Sequence, residues 1–256
     1  MIGEGKLLTV TPISLNEMST IRLMNRVDSK YLTDRDTWES VLETLAGNGF
    51  FVFEIEGHRL CSYDSLYFDT PDYRMYLAHH NGRLTRQKVR TRVYRDTNEA
   101  FLEIKLKNNH GRTRKKRVGI SEACFEDFSA QPDAAALIRK HSSIGIGEFS
   151  PSVETAFHRI TLVDPLCTER ITVDTDVHFV NRRNGNAADM GDAVIIEIKQ
   201  DGHKRSRMRE VLLEHRVKPF RISKYCMGVA MTEPSVKHNR FICKMRAIEK
   251  INKLKK

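Results

Sequence analysis

The sequence predicts an α+β protein, a closed antiparallel β-barrel with helices packed outside it. Several stretches alternate charged and apolar residues with the two-residue period of a strand. Other stretches have helical spacing and are available to cover the apolar side of those strands. Closing the strands into a barrel would place their charged side chains in a solvated lumen. The 256 residues, 40% of them hydrophobic, are enough to bury a core, and we expect one domain over residues 1–256.

Two neighbouring strands, residues 84–94 and 101–107, show this alternation most clearly. One face of the first strand carries four basic residues, Arg86, Lys88, Arg90 and Arg92. The charged face of the second carries Glu103, Lys105 and Lys107, and its other face carries Leu102, Ile104 and Leu106. A face with this many cations indicates a site for an anion.

The segments that precede this pair include another strand with one charged face. Residues 21–32 form a strand whose charged face carries Arg26, Asp28 and Lys30. Asp34 is the predicted N-cap of a helix over residues 35–46. Two strands and a short helix follow, at residues 50–55, 59–69 and 70–82.

A hairpin and a helical insertion follow the charged pair. Residues 108–111 form the turn, and residues 112–120 return as a strand on which Arg112, Arg114 and Lys116 share one face. Residues 121–143 are helical, and the tail at about 236–256 is a basic amphipathic helix.

Three later strands bring further charges to the same side. Their predicted ranges are 151–162, 168–180 and 193–199, with a polar loop at 182–191 and a helix at 203–215. The charged residues on them include Arg159, Arg170, Glu197 and Lys199. The segment 219–225 enters a helix whose first turn, at Ser223 and Lys224, offers free backbone N–H groups to an anion.

The charge balance narrows the class of partner. The 43 Lys and Arg residues exceed the 33 Asp and Glu residues, and the formal charge of +10 favours a polyanion. Nucleic acid is not expected as a partner, because aromatic residues are not interleaved with basic ones in a base-stacking pattern. Five scattered cysteines indicate neither zinc nor a redox motif and fit a reducing cytoplasm. No stretch has the pattern of a secretion signal or a membrane-spanning helix. The sequence does not predict the oligomeric state.

The residue types on the charged face suit phosphate. Arginine supplies a planar fork for phosphate oxygens and lysine a compact charge. Carboxylates such as Glu197 and Glu103 are hard oxygen ligands for Mg²⁺ or Mn²⁺. The histidines at 79, 80 and 158 lack metal-spaced partners and are expected to be structural or solvated. The sequence therefore predicts a triphosphate site.

Motifs along nearly the whole chain resemble one family. They are RVDSKY (26–31), YFDTPDYRMY (67–76), KVRTRVY (88–94), FLEIKLK followed by GRTRKKR, FHRI with ERITVD, VIIEIK, and PFRISKYCMG (219–228). Their joint order resembles the VTC-type polyphosphate polymerase domain of the triphosphate tunnel metalloenzyme (CYTH-like) superfamily. The resemblance implies a tunnel of antiparallel strands that binds ATP with a divalent ion, Mn²⁺ or Mg²⁺, and transfers the γ-phosphate to a growing polyphosphate chain.

The resemblance also implies roles for individual residues. The expected catalytic residues are Arg90, Arg92, Lys105, Lys116, Arg159 and Arg170. The expected substrate-binding residues are Arg26, Lys30, Lys88, Lys107, Lys199, Ser223 and Lys224. The expected metal ligands are Glu197 and Glu103.

One departure bears on the reaction. The tunnel triphosphatases resemble one another in a first strand of the form ExExK, whereas this chain has Arg26-x-Asp28-x-Lys30. The lost carboxylate weakens metal binding and water activation on that strand, which favours polymerase over hydrolase. A tunnel triphosphatase and a non-catalytic polyanion-binding module are the two alternatives.

Overall fold

A computed structural model describes residues 4–21, 26–202 and 205–253 as one large, mainly antiparallel sheet with helices against it, which confirms the α+β class. The strands are β1 (Thr11–Ile13), β2 (Arg26–Asp34), β3 (Phe51–Phe53), β4 (Cys61–Asp69), β5 (Arg86–Tyr94), β6 (Glu99–Lys107), β7 (Thr113–Ile120), β8 (Ser150–Val163), β9 (Glu169–Asn181), β10 (Ala187–Asp189) and β11 (Ala193–Asp201). The helices are α1 (Glu4–Leu7), α2 (Leu15–Thr20), α3 (Arg35–Gly47), α4 (Arg74–His80), α5 (Pro132–His141), α6 (Arg207–Glu214), α7 (Lys224–Thr232) and α8 (Ile242–Lys253).

Eight strands form a continuous hydrogen-bonded path in the order β2-β11-β9-β8-β4-β5-β6-β7. Strand β10 pairs with β9, and β3 joins β1 to β8. All pairs on the eight-strand path are antiparallel, and the β1–β3 pair is parallel.

The predicted closure into a barrel is wrong. The path begins at β2 and ends at β7, and no pairing joins these two strands within the described ranges. The outer edge of β2 is instead covered by the segment before α7: Tyr31 bridges to Pro219, and the Phe220 N–H donates to the Lys30 carbonyl over 2.7 Å. Proline has no N–H to extend a ladder, so the pairing stops there.

The open sheet is nevertheless strongly curved. In a flat sheet β6 and β2, six strands apart on the path, would be separated by about 29 Å. Burial lowers the pKa of Lys105 on β6, and the carboxylates of Glu197 on β11 and Asp28 on β2 oppose that shift. Charges at the two ends of the path therefore lie close enough to interact, and the face that carries them is concave.

The convex face is apolar and covered by helices, as predicted. Trp38 and Leu42 of α3 and Met208 of α6 pack on Ile171 and Ile196 of the sheet. Helix α5 covers the other half of the sheet, over β6 and β7. Asp34 caps α3 as predicted, since its carboxylate accepts a hydrogen bond from the Thr37 N–H over 2.9 Å.

Helix α7 lies on the concave face against β8 and β9, at one end of the sheet. Gly228 makes this close approach possible, because a Cβ at that position would lie 2.7 Å from Val153 Cγ1 and 2.9 Å from Phe179 Cδ1. Tyr225 of α7 stacks on Tyr67 of β4 with 5.0 Å between ring centroids.

The carboxylate of Asp69, at the end of β4, is fully buried and ties α7 to α4. It accepts hydrogen bonds from the backbone N–H groups of Met75 and Tyr76 at 2.9 Å each and from the Tyr225 hydroxyl. The motifs YFDTPDYRMY (67–76) and PFRISKYCMG (219–228) therefore meet at one buried corner.

Some elements differ from their sequence-based assignments. The polar loop contains the short strand β10, and the insertion after β7 holds two 3₁₀ turns before α5, in place of one helical stretch. The helix predicted over 203–215 begins at Arg207, and residues 203–204 lie outside the described part. No helix in the described ranges is both long and apolar enough to cross a bilayer.

Replacing Gly228 with alanine should destabilise the protein by about 2 kcal/mol, because the added methyl overlaps Val153 and Phe179. Urea unfolding measures the change. The matched control is Gly47→Ala at the end of α3, where nothing lies within 4 Å of the added Cβ and the free energy of unfolding should stay equal or rise. Equal stability of the two variants would contradict the close packing of α7.

Candidate functional site: a cationic concave face

Strand register places most of the predicted site residues on the concave face. Directly opposed residues of antiparallel strands point to the same side, and Glu197 opposes Lys30 while Lys105 opposes Lys88. The predicted residues on this face are Lys30, Lys88, Arg90, Arg92, Glu103, Lys105, Lys107, Arg159, Arg170, Glu197 and Lys199. Ser223 and Lys224 join them from α7. The backbone of Arg26 begins β2, but its side chain lies outside the described part of the chain.

Lys116 does not belong to this face. It opposes Ile104, whose side chain is in the apolar cluster under α5, whereas Arg117 opposes Glu103 and Lys115 opposes Lys105. The turn after Lys107 sets this register by pairing Lys107 with Thr113. The predicted placement of Lys116 on the charged face is therefore wrong, and that position belongs to Lys115, whose Nζ forms an ion pair with Glu103.

Arg90 is the centre of a buried network on β5. Its Nε donates to Glu103 Oε2 over 2.7 Å, and its Nη1 donates to the Tyr67 hydroxyl over 2.9 Å. Burial opposes ionisation of Glu103, but Arg90, Arg92 and Lys115 outweigh it and hold the pKa of the carboxyl well below its usual range. Burial likewise opposes ionisation of Tyr67, yet the surrounding cations, Arg90 first, lower its pKa to about 8.

Arg92 is held by aromatic faces. Only 4% of the residue is exposed, and its Nε donates to Ser65 Oγ over 2.9 Å. Its guanidinium lies 5.3 Å from the Tyr63 ring centroid and 5.5 Å from that of Phe157. Burial and the neighbouring Arg90 lower the pKa of Arg92. A guanidinium fixed in this way can donate its N–H groups to phosphate oxygens.

Asp174 of β9 binds two predicted cations. Arg159 makes a bidentate contact through Nε at 2.6 Å and Nη2 at 2.8 Å, and Lys224 forms an ion pair with the same carboxylate. Burial raises the pKa of Asp174, but Arg159 and Lys224 lower it more, and the net pKa lies well below the usual range. The first residue of α7 is thereby fixed to the sheet.

Glu197 of β11 is a partly buried carboxylate on the same face, with 14% of its side chain exposed. It lies 3.1 Å from Lys30 Nζ and 3.5 Å from Lys199 Nζ. Burial opposes its ionisation, but Lys30, Lys199 and Lys105 keep its pKa well below the usual range. Burial lowers the pKa of Lys199 to about 8 in spite of this partner.

The remaining predicted residues line the edges of the face. Lys88 Nζ donates to Ser223 Oγ over 2.7 Å, and Ser223 caps α7 through the Cys226 N–H. Arg170 Nη2 donates to the Met18 carbonyl over 3.0 Å, which directs this guanidinium toward the end of α2.

The two predicted metal ligands differ in how accessible their carboxylate oxygens are to a metal ion. Glu103 is 2% exposed and held by Arg90 and Lys115, so its oxygens are not available to a metal. Glu197 faces the cleft formed by the concave face, beside Lys30 and Lys199, and Asp28 lies on the neighbouring strand β2. In the described ranges no group of three His, Cys, Asp or Glu side chains could hold an ion. These residues fit a divalent ion bound by one or two carboxylates and otherwise by substrate phosphates, as Mg²⁺ commonly is.

Sequence reasoning missed four members of the site: Ser65, Tyr67, Lys115 and Asp174. Alternation along β4 carries a signal for the first two, because Tyr63, Ser65 and Tyr67 share the face that opposes Arg92 and Arg90. That signal needs the β4–β5 register, which the sequence does not contain.

A family model for the VTC domain matches residues 25–233. The chain belongs to the VTC domain family. The match covers β2 through α7, and therefore every strand of the concave face together with Ser223 and Lys224. A search of curated proteins finds no relative.

Solved structures that are similar to this VTC domain have low sequence identity to it. A candidate adenylyl cyclase from Hippeastrum, with a dominant triphosphatase activity, has a TM-score of 0.52 at 16% identity and covers 81% of this chain and 96% of its own. A candidate adenylate cyclase from Vibrio parahaemolyticus has a TM-score of 0.47 at 10% identity, covering 80% and 99%. A Pyrococcus horikoshii protein has a TM-score of 0.44 at 18% identity, covering 78% and 95%.

Affinity for tripolyphosphate should fall as the pH rises through about 8. Burial lowers the pKa values of Lys199 and Lys224 to about 8 each, so both are charged below that pH and lose their protons above it. Calorimetric titrations at constant ionic strength between pH 7 and 9 measure the effect.

The control for this titration is the double variant Lys199→Arg with Lys224→Arg, which keeps both charges over the whole range. Its pH profile also contains the titration of the ligand itself, so the difference between the two proteins isolates the lysines. Parallel profiles would show that these two side chains do not titrate in this range.

Proposed function

We propose that this VTC domain is an ATP-dependent polyphosphate polymerase, which transfers the γ-phosphate of ATP to a growing polyphosphate chain on the concave face, with a divalent metal. One observation carries the proposal. A cationic cleft contains two buried carboxylates, Glu103 and Asp174, and one partly buried carboxylate, Glu197, and each is held by two or more basic side chains. The cleft therefore offers positive charge in fixed positions, with these three carboxylates already engaged by cations.

The arginines bind and orient the phosphates. Arg90, Arg92 and Arg159 are each fixed by a second group on the protein, at Glu103, Ser65 and Asp174 respectively. Guanidinium groups held in this way lose little conformational freedom when they meet phosphate oxygens. Lys199 and Lys224 add positive charge beside them, which offsets the charge that develops during transfer.

The bond changes require no proton transfer. A terminal oxygen of the polyphosphate chain forms a bond to the γ-phosphorus, the bond from that phosphorus to the β–γ bridging oxygen breaks, and ADP leaves. In the fully ionised species the total charge is the same before and after. Positioning and charge neutralisation are then the whole task of the protein.

Hydrolysis would differ at this point, because an attacking water releases a proton that a base must accept. The pKa values of Glu103, Asp174 and Glu197 all lie well below the usual range, so these carboxylates are poor bases. This supports transfer to an anionic phosphate acceptor over transfer to water.

Glu197 and Asp28 are the carboxylates that would hold the metal, which would supply positive charge to the phosphates when bound. Its identity, Mn²⁺ or Mg²⁺, is part of the test below. The second candidate function is a tunnel triphosphatase, which the activity of the Hippeastrum protein favours.

Incubation of the purified protein with ATP and either Mn²⁺ or Mg²⁺ should yield ADP and long, acid-labile polyphosphate on a gel. ADP with free orthophosphate and no polymer would instead support the triphosphatase. Salt-sensitive polyphosphate binding without turnover would support a non-catalytic binding module. Omission of the metal should abolish polymer formation in the first case.

A Lys105→Met substitution should reduce polymer formation about 100-fold or more, because it removes a cation from the centre of the cleft. Lys105 has an exposed surface, but the walls of the cleft partly desolvate its ammonium and lower its pKa, so its loss should not reduce stability. Lys140→Met on α5, at an exposed position on the convex side, is the matched control and should retain full activity. Initial rates and thermal melts of both variants measure the outcome, and equal rates would contradict the assignment.

Lys105 is a cleaner probe than Arg90. An Arg90→Ala variant would leave Glu103 buried with Lys115 as its remaining ion-pair partner, at a cost of about 3 kcal/mol in stability. Loss of activity in that variant would not separate a catalytic effect from unfolding.

A further inference from the structure

The Tyr67 hydroxyl lies among the cations of the concave face. Tyr67 opposes Arg90 across the β4–β5 pair, and Arg90 Nη1 donates to its hydroxyl oxygen over 2.9 Å. Four cations act on this oxygen, and they are Arg90, Arg92, Lys88 and Lys224. Three of them lie on β5 and the fourth is the first residue of α7, so the hydroxyl lies where these two elements meet.

The ring of Tyr67 is fixed by its packing. It stacks on Tyr225 of α7 with 5.0 Å between ring centroids, and the Tyr225 hydroxyl donates to the buried carboxylate of Asp69. On β8 the residue that opposes Tyr67 is the apolar Val153. Tyr67 is 6% exposed, and a side chain packed this closely keeps its hydroxyl in one position.

The hydrogen of this hydroxyl has no acceptor among the described residues. Its oxygen accepts from Arg90, but no described side chain or carbonyl accepts a hydrogen bond from it. The Glu103 carboxylate, on the other side of Arg90, forms its ion pairs with Arg90 and Lys115. Ammonium and guanidinium groups have no acceptor, and a buried donor without a partner costs free energy. The surroundings of the hydroxyl therefore suit an anion with acceptor oxygens.

We propose that the Tyr67 hydroxyl donates a hydrogen bond to an oxygen of the triphosphate bound in the cleft. This rests on the proposed function and adds a neutral donor to its phosphate site. Arg90 holds the hydroxyl oxygen, and the O–H hydrogen remains for the phosphate. Tyr67 is then a residue that contacts substrate, in addition to supporting Arg90.

Ionisation of Tyr67 removes this donor. Burial opposes the ionisation, but the four cations lower the pKa of Tyr67 to about 8. Below that pH the hydroxyl is protonated and donates, whereas above it the phenolate has no hydrogen to donate and repels phosphate. Bound triphosphate favours the protonated form, so binding near pH 8 takes up a proton at Tyr67.

The ultraviolet absorbance of tyrosinate separates Tyr67 from the lysines. Lys224 titrates in the same range, but its ionisation does not change this absorbance. Burial raises the pKa of Tyr63, Tyr76 and Tyr225, so these three ionise at higher pH.

The free protein should gain the absorbance of about one tyrosinate between pH 7 and 9, and saturating tripolyphosphate should move this transition upward by about one pH unit or more. A transition that tripolyphosphate leaves in place would mean that the hydroxyl does not contact phosphate, and the proposal would be wrong. This measurement uses the unsubstituted protein and does not depend on the folding of a variant.

The variant Tyr67→Phe keeps the stacked ring and removes the hydroxyl. Its affinity for tripolyphosphate at pH 7 should be about tenfold lower, and the tyrosinate transition near pH 8 should be absent. By pH 9 the two proteins should bind alike, because the unsubstituted protein must first take up a proton at Tyr67, which costs about tenfold one pH unit above its pKa. Calorimetric titrations measure both affinities. An equal loss at both pH values would mean that the hydroxyl acts only through Arg90, which overturns the direct contact.

The matched control is Tyr94→Phe, which removes a hydroxyl at the last residue of β5, where the ring packs edge-on against Tyr63 and Phe101. It should bind tripolyphosphate and titrate like the unsubstituted protein. A loss of affinity equal to that of Tyr67→Phe would show a general effect of tyrosine hydroxyls on this face and would contradict the proposal. Thermal melts of both variants check that each is folded.

Failure of the proposed function has a different signature, because none of these measurements requires turnover. A protein that shows the tyrosinate shift with tripolyphosphate but makes no polymer from ATP keeps the contact at Tyr67 and is not a polymerase. Polymer formation without the shift supports the polymerase and overturns the contact.

Discussion

The structure depends on keeping many positive charges together on one concave surface. Cations at this density repel one another, and burial adds a desolvation cost to each. Glu103, Asp174 and Glu197 offset this cost, since each lies between basic residues from different parts of the chain. Because these contacts connect β2 to β11, β6 to both β5 and β7, and β9 to both β8 and α7, the same ion pairs that compensate the charge also hold the curved sheet together.

These ion pairs leave the solvent-facing side of the concave face cationic. The carboxylates occupy inner positions behind the basic groups, while Lys105 on the same face is exposed to solvent. Aromatic rings take over the supporting role where no carboxylate is present, as Tyr63 and Phe157 do for Arg92. The arrangement is therefore a set of fixed positive groups with their supports on the protein side, which is the form of preorganisation that phosphoryl transfer requires.

Alternation along single strands was enough to predict most of the elements and most of the site. The charged faces of β5, β6 and β11 follow from a two-residue period, and the capping of α3 follows from Asp34. Contacts that depend on register were not predictable in the same way. The sequence placed Lys116 on the charged face instead of Lys115, because the geometry of the turn that sets the β6–β7 pairing cannot be predicted from it. The predicted closure of the barrel was wrong because the segment at Pro219 covers the edge of β2.

The buried corner at Asp69 makes the position of α7 in the site depend on contacts with α4 and the end of β4. Its carboxylate bonds both the start of α4 and Tyr225, so a local opening at this corner would free α7 together with Ser223 and Lys224. We therefore expect the cleft and the β4–α4 corner to open together in local unfolding. An anion bound at the start of α7 would raise the free energy of that opening, so occupancy of the cleft and local order at the corner are thermodynamically linked.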